Sequence, residues 1–318
     1  MNYQHAFHAG NIADVHKHVV LTRILAYLRD KPAGFRVIDS HGGAGCYDLT
    51  AAQATRSGEW CDGIARVFAG ADDAGKMNAA ARALLAPYLD IVAALNRGSG
   101  LRGSGLRFYP GSPLIAKALL RRQDRLIACE LEPAAATSLK LALRGEPRAK
   151  VLPIDGWMAL KANIPPKERR GLVLVDPAYE DNADFLRLDE ALAQAHRKWS
   201  GGLYLLWYPI KGPEIAGDFS RSAPIPPDGY RRRRYKRPSG REGADALARR
   251  LRRLNVPKIL RCELSVGAPR EAGPLAGSGL IVVNPPFPLE NQLRTLLPAL
   301  VRLLAPAGGS RIDWLARE

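Results

Sequence analysis

Cysteine is scarce in this chain of 318 residues: Cys46, Cys61, Cys129 and Cys262 are all it has. No two stand in CxxC spacing, which argues against a disulfide-stapled scaffold and a thiolate zinc site. Long apolar runs are missing too, since none approaches the roughly 20 residues that cross a bilayer. The opening MNYQHAFHAG has neither the basic head nor the apolar stretch of a secretory signal. No internal repeat is visible. These absences lead us to expect a cytoplasmic protein with no membrane partner. Acids are few as well, 31 Asp and Glu against 47 Lys and Arg, for a net charge of +16.

The excess is concentrated. Between Gly229 and Arg261 thirteen Lys and Arg face two acids, a local charge of +11. A field of that size attracts polyanions whatever the fold, and the run Arg231, Arg232, Arg233 and Arg234 is its densest part. Hydrophobic residues make up 47% of the chain, enough for a large core. The apolar runs 35-FRVIDS, 126-LIACE, 150-KVLPID, 171-GLVLVD, 202-GLYLLWY, 258-KILRCELSV and 279-GLIVVN alternate with helical patterns. They predict an α/β fold with a doubly wound, mostly parallel, seven-stranded sheet. The last two runs are joined by the Gly/Pro-rich 267-GAPREAGPLAGS, which reads as a long hairpin with an antiparallel strand near the sheet edge. Residues 47–107 carry Ala/Leu helical periodicity and no convincing strand, so they read as a small helical insertion. The main domain is then 1–46 and 108–318. A helix is expected to begin near Gly243 and run through 245-DALARRLRRL.

Chemistry-bearing residues cluster at the predicted strand ends. The run 171-GLVLVD continues as Asp176-Pro177-Ala178-Tyr179, close to the (D/N)PP(Y/F) tetrad of amino-group methyltransferases, with Ala178 in place of the second proline. An exocyclic adenine amine is a weak nucleophile because its lone pair is delocalised into the ring. The Asp176 carboxylate and the Pro177 carbonyl can accept its two hydrogens and so aim the lone pair at a methyl donor. The Tyr179 ring can stack on an extruded base. Asn284-Pro285-Pro286-Phe287 matches the pattern better, but a strand reached by a hairpin lies away from the ligand crevice of a doubly wound sheet. Asp176 is therefore the expected catalytic residue. The first strand runs into 40-SHGGAG, whose glycines let backbone approach a ligand, the second ends at Glu130 and the third at Asp155-Gly156. Any one such acid could simply cap a helix. The ordered set of four is the stronger signal. Five of the six histidines fall in the first 41 residues, but no carboxylate or cysteine pattern completes a tetrahedral site, so no metal is expected.

Together 3-YQHAFHAGNIADVHKH, SHGGAG, 109-YPGSP, the Glu130 and Asp155-Gly156 ends, DPAYE and 206-LWYP resemble the RlmJ family of 23S rRNA adenine-N6 methyltransferases over nearly the whole chain. The stretch from about Lys211 to Leu254 matches least. The resemblance implies a Rossmann-like class I methyltransferase, S-adenosylmethionine as donor, and a single unpaired adenine in a 23S rRNA hairpin as acceptor. A monomer is expected. By motif, His18, His41, Ser112, Glu130, Asp155, Gly156 and Asp176 would contact the donor. Tyr3 and Lys17 would contact the RNA, with Tyr179 and Arg231–Arg234. A DNA adenine methyltransferase, or an RNA-binding factor that has lost activity, are the competing readings.

Overall fold

A computed structural model describes residues 4–98, 105–179, 183–210, 256–266 and 275–317, together with Asp245, Arg249 and Arg252. Tyr3 and Arg231–Arg234 lie outside the described residues, as do the hairpin residues 267–274.

The first long helix, α1 (Ile12–Arg29), is capped by Asn11, whose side chain accepts from Ala13 N and Asp14 N. Most of it is buried, and Val15, Val19, Val20, Leu21, Ile24 and Leu25 are at most 1% exposed. It leads into β1 (Arg36–Asp39) and a short strand, β2 (Cys46–Asp48). Helices α2 (Ala52–Ser57), α3 (Arg66–Gly70) and α4 (Ala79–Asn96) follow, and then β3 (Phe108–Pro110), which pairs antiparallel with β2. This two-stranded ribbon was not anticipated. Its three-residue strands are too short to carry a period-2 pattern. The buried stripe Ala81, Leu85, Tyr88 and Val92 of α4 falls at helical spacing and joins the same core as α1.

The rest of the described chain is α5 (Ser112–Leu119), β4 (Arg125–Cys129), α6 (Pro133–Ala142), β5 (Ala149–Leu152), α7 (Gly156–Asn163), β6 (Gly171–Val175), α8 (Ala183–Lys198), β7 (Leu203–Ile210), β8 (Ile259–Ser265), β9 (Gly277–Val283), α9 (Leu289–Leu304) and β10 (Gly309–Ala316). The main sheet has eight strands, in the order β10-β8-β9-β7-β6-β1-β4-β5. The seven expected strands are all present. The eighth, β10, escaped notice because Ser310, Arg311 and Asp313 break up its apolar character, as suits an edge strand with an exposed face. The expected hairpin pair is present, β8 and β9 running antiparallel, and β9 is the third strand from the β10 edge, between β8 and β7 and antiparallel to both. Asp245, Arg249 and Arg252 are helical, as the 245-DALARRLRRL pattern predicts.

Leu172 and Leu174 of β6 belong to the cluster that holds α1, α4 and α9, while Val173 and Val175 belong to the cluster under α8. A strand apolar on both faces is central by necessity. Strand order reverses at β1: the chain passes outward to β4 and β5, then returns to place β6 on the other side of β1. The crevice of a doubly wound sheet opens at such a reversal, at the carboxyl ends of the strands.

Candidate active site

Asp39 pairs with Leu174 in the parallel ladder of β1 and β6, so the loop after β1 and the Asp176 turn emerge side by side. In that loop Gly43 and Gly45 have φ of +61° and +79°. A Cβ on Gly43 would stand 2.2 Å from the Tyr47 hydroxyl, so only glycine fits this turn. The Gly43 amide donates to Glu130 Oε2 at 2.9 Å, tying the loop to the end of β4, and Glu132 N donates to Glu130 Oε1 at 2.8 Å. Helix α6 is capped by Glu132 instead, which leaves Glu130 facing the loop. Asp155 does cap its helix, accepting from Trp157 N at 2.7 Å. Next to it, a Cβ on Gly156 would meet the Ser40 carbonyl at 2.1 Å, so α7 can begin this close to β1 only without a side chain there.

His41 accepts or donates through Nδ1 to Ser40 Oγ at 2.7 Å, and its ring meets Trp157 edge-on at 5.3 Å. Burial lowers its pKa to about 4, against the opposing pull of Asp176 and Asp155. Ser112, at the start of α5, donates to Asp39 Oδ2 at 2.7 Å. Burial raises the Asp39 pKa to about 6, although the Ser112 bond works in the other direction. His18 is 1% exposed, bonds through Nδ1 to the Tyr109 hydroxyl at 2.8 Å and stacks on that ring. Burial takes it to about 3, so it is neutral, and its Nε2 has no hydrogen-bond partner among the described residues.

Lys17 is the central cation of the site. It is 4% exposed, donates to Asp14 Oδ1 at 2.9 Å and donates to Asp176 Oδ2. Burial favours the neutral amine, but the two carboxylates outweigh it and hold the proton more firmly than in water. Asp14 is itself buried, which opposes ionisation, yet His5 and Lys17 keep its pKa well below the ordinary carboxylate value. Asp176 Oδ1 accepts from no described residue. Tyr179, in the left-handed region at φ +51°, donates its hydroxyl to the Trp207 carbonyl at 2.5 Å. Its ring lies against Phe185 at 4.6 Å, tilted by 41°, and meets Trp207 edge-on at 5.6 Å.

Asn284 is elsewhere. Val283 pairs with Tyr204 at the beginning of β7, and Asn284 Nδ2 donates to the carbonyls of Ser200 and Gly202, both at 2.7 Å. Because β9 runs antiparallel, its carboxyl end lies at the opposite edge of the sheet from Asp176. The structure thus gathers Lys17, His18, His41, Ser112, Glu130, Asp155, Gly156, Asp176 and Tyr179 at one edge. Reading the sequence missed Asp14 and Asp39 as members of the site. The available signal for Asp14 was its spacing of three and four from Lys17 and His18, as the one acid of a helix that also carries His16, Lys17 and His18 in a row. Among the described residues no group of three His, Cys, Asp or Glu is arranged as a metal site.

A mostly parallel doubly wound sheet with a glycine loop, two acids and an Asp-Pro turn at successive strand ends defines a Rossmann-like methyltransferase. A profile of the family described as "Ribosomal RNA large subunit methyltransferase D, RlmJ" matches residues 32–222 and 239–316. Two proteins called "Ribosomal RNA large subunit methyltransferase J", from Escherichia coli and Haemophilus influenzae, are 36% and 35% identical over the full length of both chains. The chain belongs to the RlmJ family. A crystal structure of a Legionella pneumophila protein superposes with a TM-score of 0.78 at 29% identity, covering 96% of this chain and 98% of that one.

Proposed function

We propose that the protein transfers a methyl group from S-adenosylmethionine to the N6 amine of an unpaired adenine in 23S rRNA, flipped into the crevice beside Asp176. One observation carries this reading: the Asp176 turn follows the strand paired with the one that feeds the glycine loop, so donor and acceptor sites share an edge. The fit of the donor rests on the cradle itself. Gly42, Gly43 and Gly45 fold the loop tightly onto Leu139, Pro113 and Tyr47, and Glu130 and Asp155 stand at the next two strand ends, suited to ribose hydroxyls and an adenine amine. His18, His41, Ser112 and Gly156 complete that side.

When bound, S-adenosylmethionine supplies a sulfonium methyl group. Asp176 Oδ1 and the Pro177 carbonyl accept the two N6 hydrogens and turn the nitrogen lone pair toward that carbon. On transfer the donor would give up that methyl to nitrogen and keep the bonding pair on sulfur as a neutral thioether, while Asp176 takes the proton lost from nitrogen and passes it to solvent. Lys17, on Oδ2, fixes which oxygen faces the amine. The Tyr179 ring, its hydroxyl already committed, offers a face for the flipped base. Tyr3 and Arg231–Arg234 contact the RNA, the arginines through phosphates.

The test is Asp176→Ala on unmodified 23S rRNA, with duplex DNA as control substrate. Methyl incorporation into rRNA by the parent protein should vanish in the variant, a loss of at least ~10²-fold. Donor binding by calorimetry should persist. Full activity of the variant, or methylation of DNA in preference to rRNA, would overturn the reading.

A further inference from the structure

Asp14 is the third residue of α1, where an acid ordinarily completes the cap or faces the positive end of the helix dipole. Asn11 already supplies the cap, accepting from Ala13 N at 2.9 Å and Asp14 N at 3.0 Å. The Asp14 carboxylate, 2% exposed, points elsewhere. Its Oδ1 accepts from Lys17 Nζ at 2.9 Å, and its Oδ2 accepts from His5 Nε2 at 3.0 Å and from Gly10 N at 2.9 Å. Lys17 in turn reaches Asp176. One carboxylate therefore joins the opening segment, α1 and the Asp-Pro turn.

Burying a carboxylate and an ammonium costs free energy unless both are fully bonded, and an apolar pair would pack α1 at least as well. The charges are explained by what they hold. We propose that Asp14 is a positioning residue of the transferase site: it fixes the Lys17 ammonium on Asp176 Oδ2 and ties the segment from His5 to Gly10 down beside the same cleft. The inference rests on Asp176 holding the target amine. Without Asp14 the ammonium has Asp176 as its one carboxylate partner among the described residues. It can then swing to Oδ1 and compete with the amine for that oxygen. Asp14 takes no part in the bond changes.

The experiment measures kcat, KM for an rRNA fragment, donor Kd and the pH profile of kcat for Asp14→Asn, Lys17→Gln and the double variant. Asp14→Asn should lower kcat by about 10²-fold, as expected for a misplaced reacting group, and leave donor Kd within about twofold. Lys17 faces Asp14 and His18 on its own helix, Asp176 beyond β6, Asp39 at the end of β1, Tyr47 on β2 and Tyr88 on α4. With one of its two bonded carboxylates removed it releases its proton more easily, so the alkaline limb of kcat should move to lower pH. A purely structural loss would not move that limb. The double variant should be no worse than Lys17→Gln, since both act through one ammonium. It also removes a neutral pair of charges, which keeps the test open if Asp14→Asn alone does not fold. An unchanged kcat and limb in Asp14→Asn, or additive losses in the double variant, would overturn the proposal. Asp176→Ala run alongside separates the two readings. An active Asp176→Ala removes the catalytic assignment, whereas an inactive Asp176→Ala beside a fully active Asp14→Asn removes this inference alone.

Discussion

Lys17 and Asp176 are 159 positions apart in sequence and bonded in space, and that pair joins α1 to the Asp-Pro turn. Single residues around it have narrow tolerances. Gly156 is the sharpest case, because an added methyl would lie 2.1 Å from a backbone oxygen of the loop after β1. Neither partner is the flexible end of a side chain, so the helix start or the loop must move. Gly156→Ala should cost about 1–3 kcal/mol of stability, and it should weaken S-adenosylmethionine binding as the Asp155 side of the cradle shifts. Denaturant unfolding and calorimetry on the same preparation check both. Much of this scale was legible in the sequence. Asp176, Glu130 and Asp155 announce themselves as acids at the ends of apolar runs. Asp14 and Asp39 did not, because their roles come from partners brought together only by the sheet.

At the scale of elements, seven strands could be read from Val, Ile and Leu runs, since burial on both faces leaves a sequence signal. What could not be read was order. Nothing in 279-GLIVVN says that β9 slots between β7 and β8 and runs antiparallel to both. That arrangement is decisive for the second tetrad, because it sends Asn284 to the far edge despite its better match. The edge strand β10 is held by an ion pair as well as by its ladder. Arg261 on β8, 2% exposed, bonds Asp313 on β10 at 2.9 and 2.7 Å and Asp245 at 2.5 Å. Arg261→Ala should lower stability by about 2 kcal/mol, at or below the low end for a broken buried pair, because both carboxylates can rehydrate. Activity per folded molecule should stay at the parent level, as β8 and β10 stand beyond β9 from the crevice. Urea titration with kinetics below the midpoint tests the separation.

The whole molecule carries a pH dependence set by buried histidines. His16, bonded to Ser278 Oγ, and His18 are 0% and 1% exposed, and burial takes both to about 3. Unfolded, each would titrate near the ordinary histidine value. Their folded values are depressed, so the stability they contribute is present above about pH 6.5 and is lost as pH falls toward 3. By pH 5 the loss is on the order of 2 kcal/mol each. Asp39, raised to about 6, acts in the opposite sense: the unfolded state ionises first, so stability falls as pH rises from about 4 to 6. Two histidines outweigh one aspartate in that window. Thermal midpoints should therefore drop between pH 7 and pH 5, and His16→Asn should flatten the drop; a midpoint constant over that range would contradict the account.

The register of β7, β9 and β8 has one more consequence. Ile210 pairs with Gly277 and Gly277 with Ser265, so the chain leaves β7 on the same side of the sheet as Asp176. β8 begins at Ile259, opposite Val283, so the described chain leaves the sheet at one edge and re-enters it at the other. A change in the length of chain between those two points need not alter the register of β6 and β1, which carry the Asp176 turn and the glycine loop.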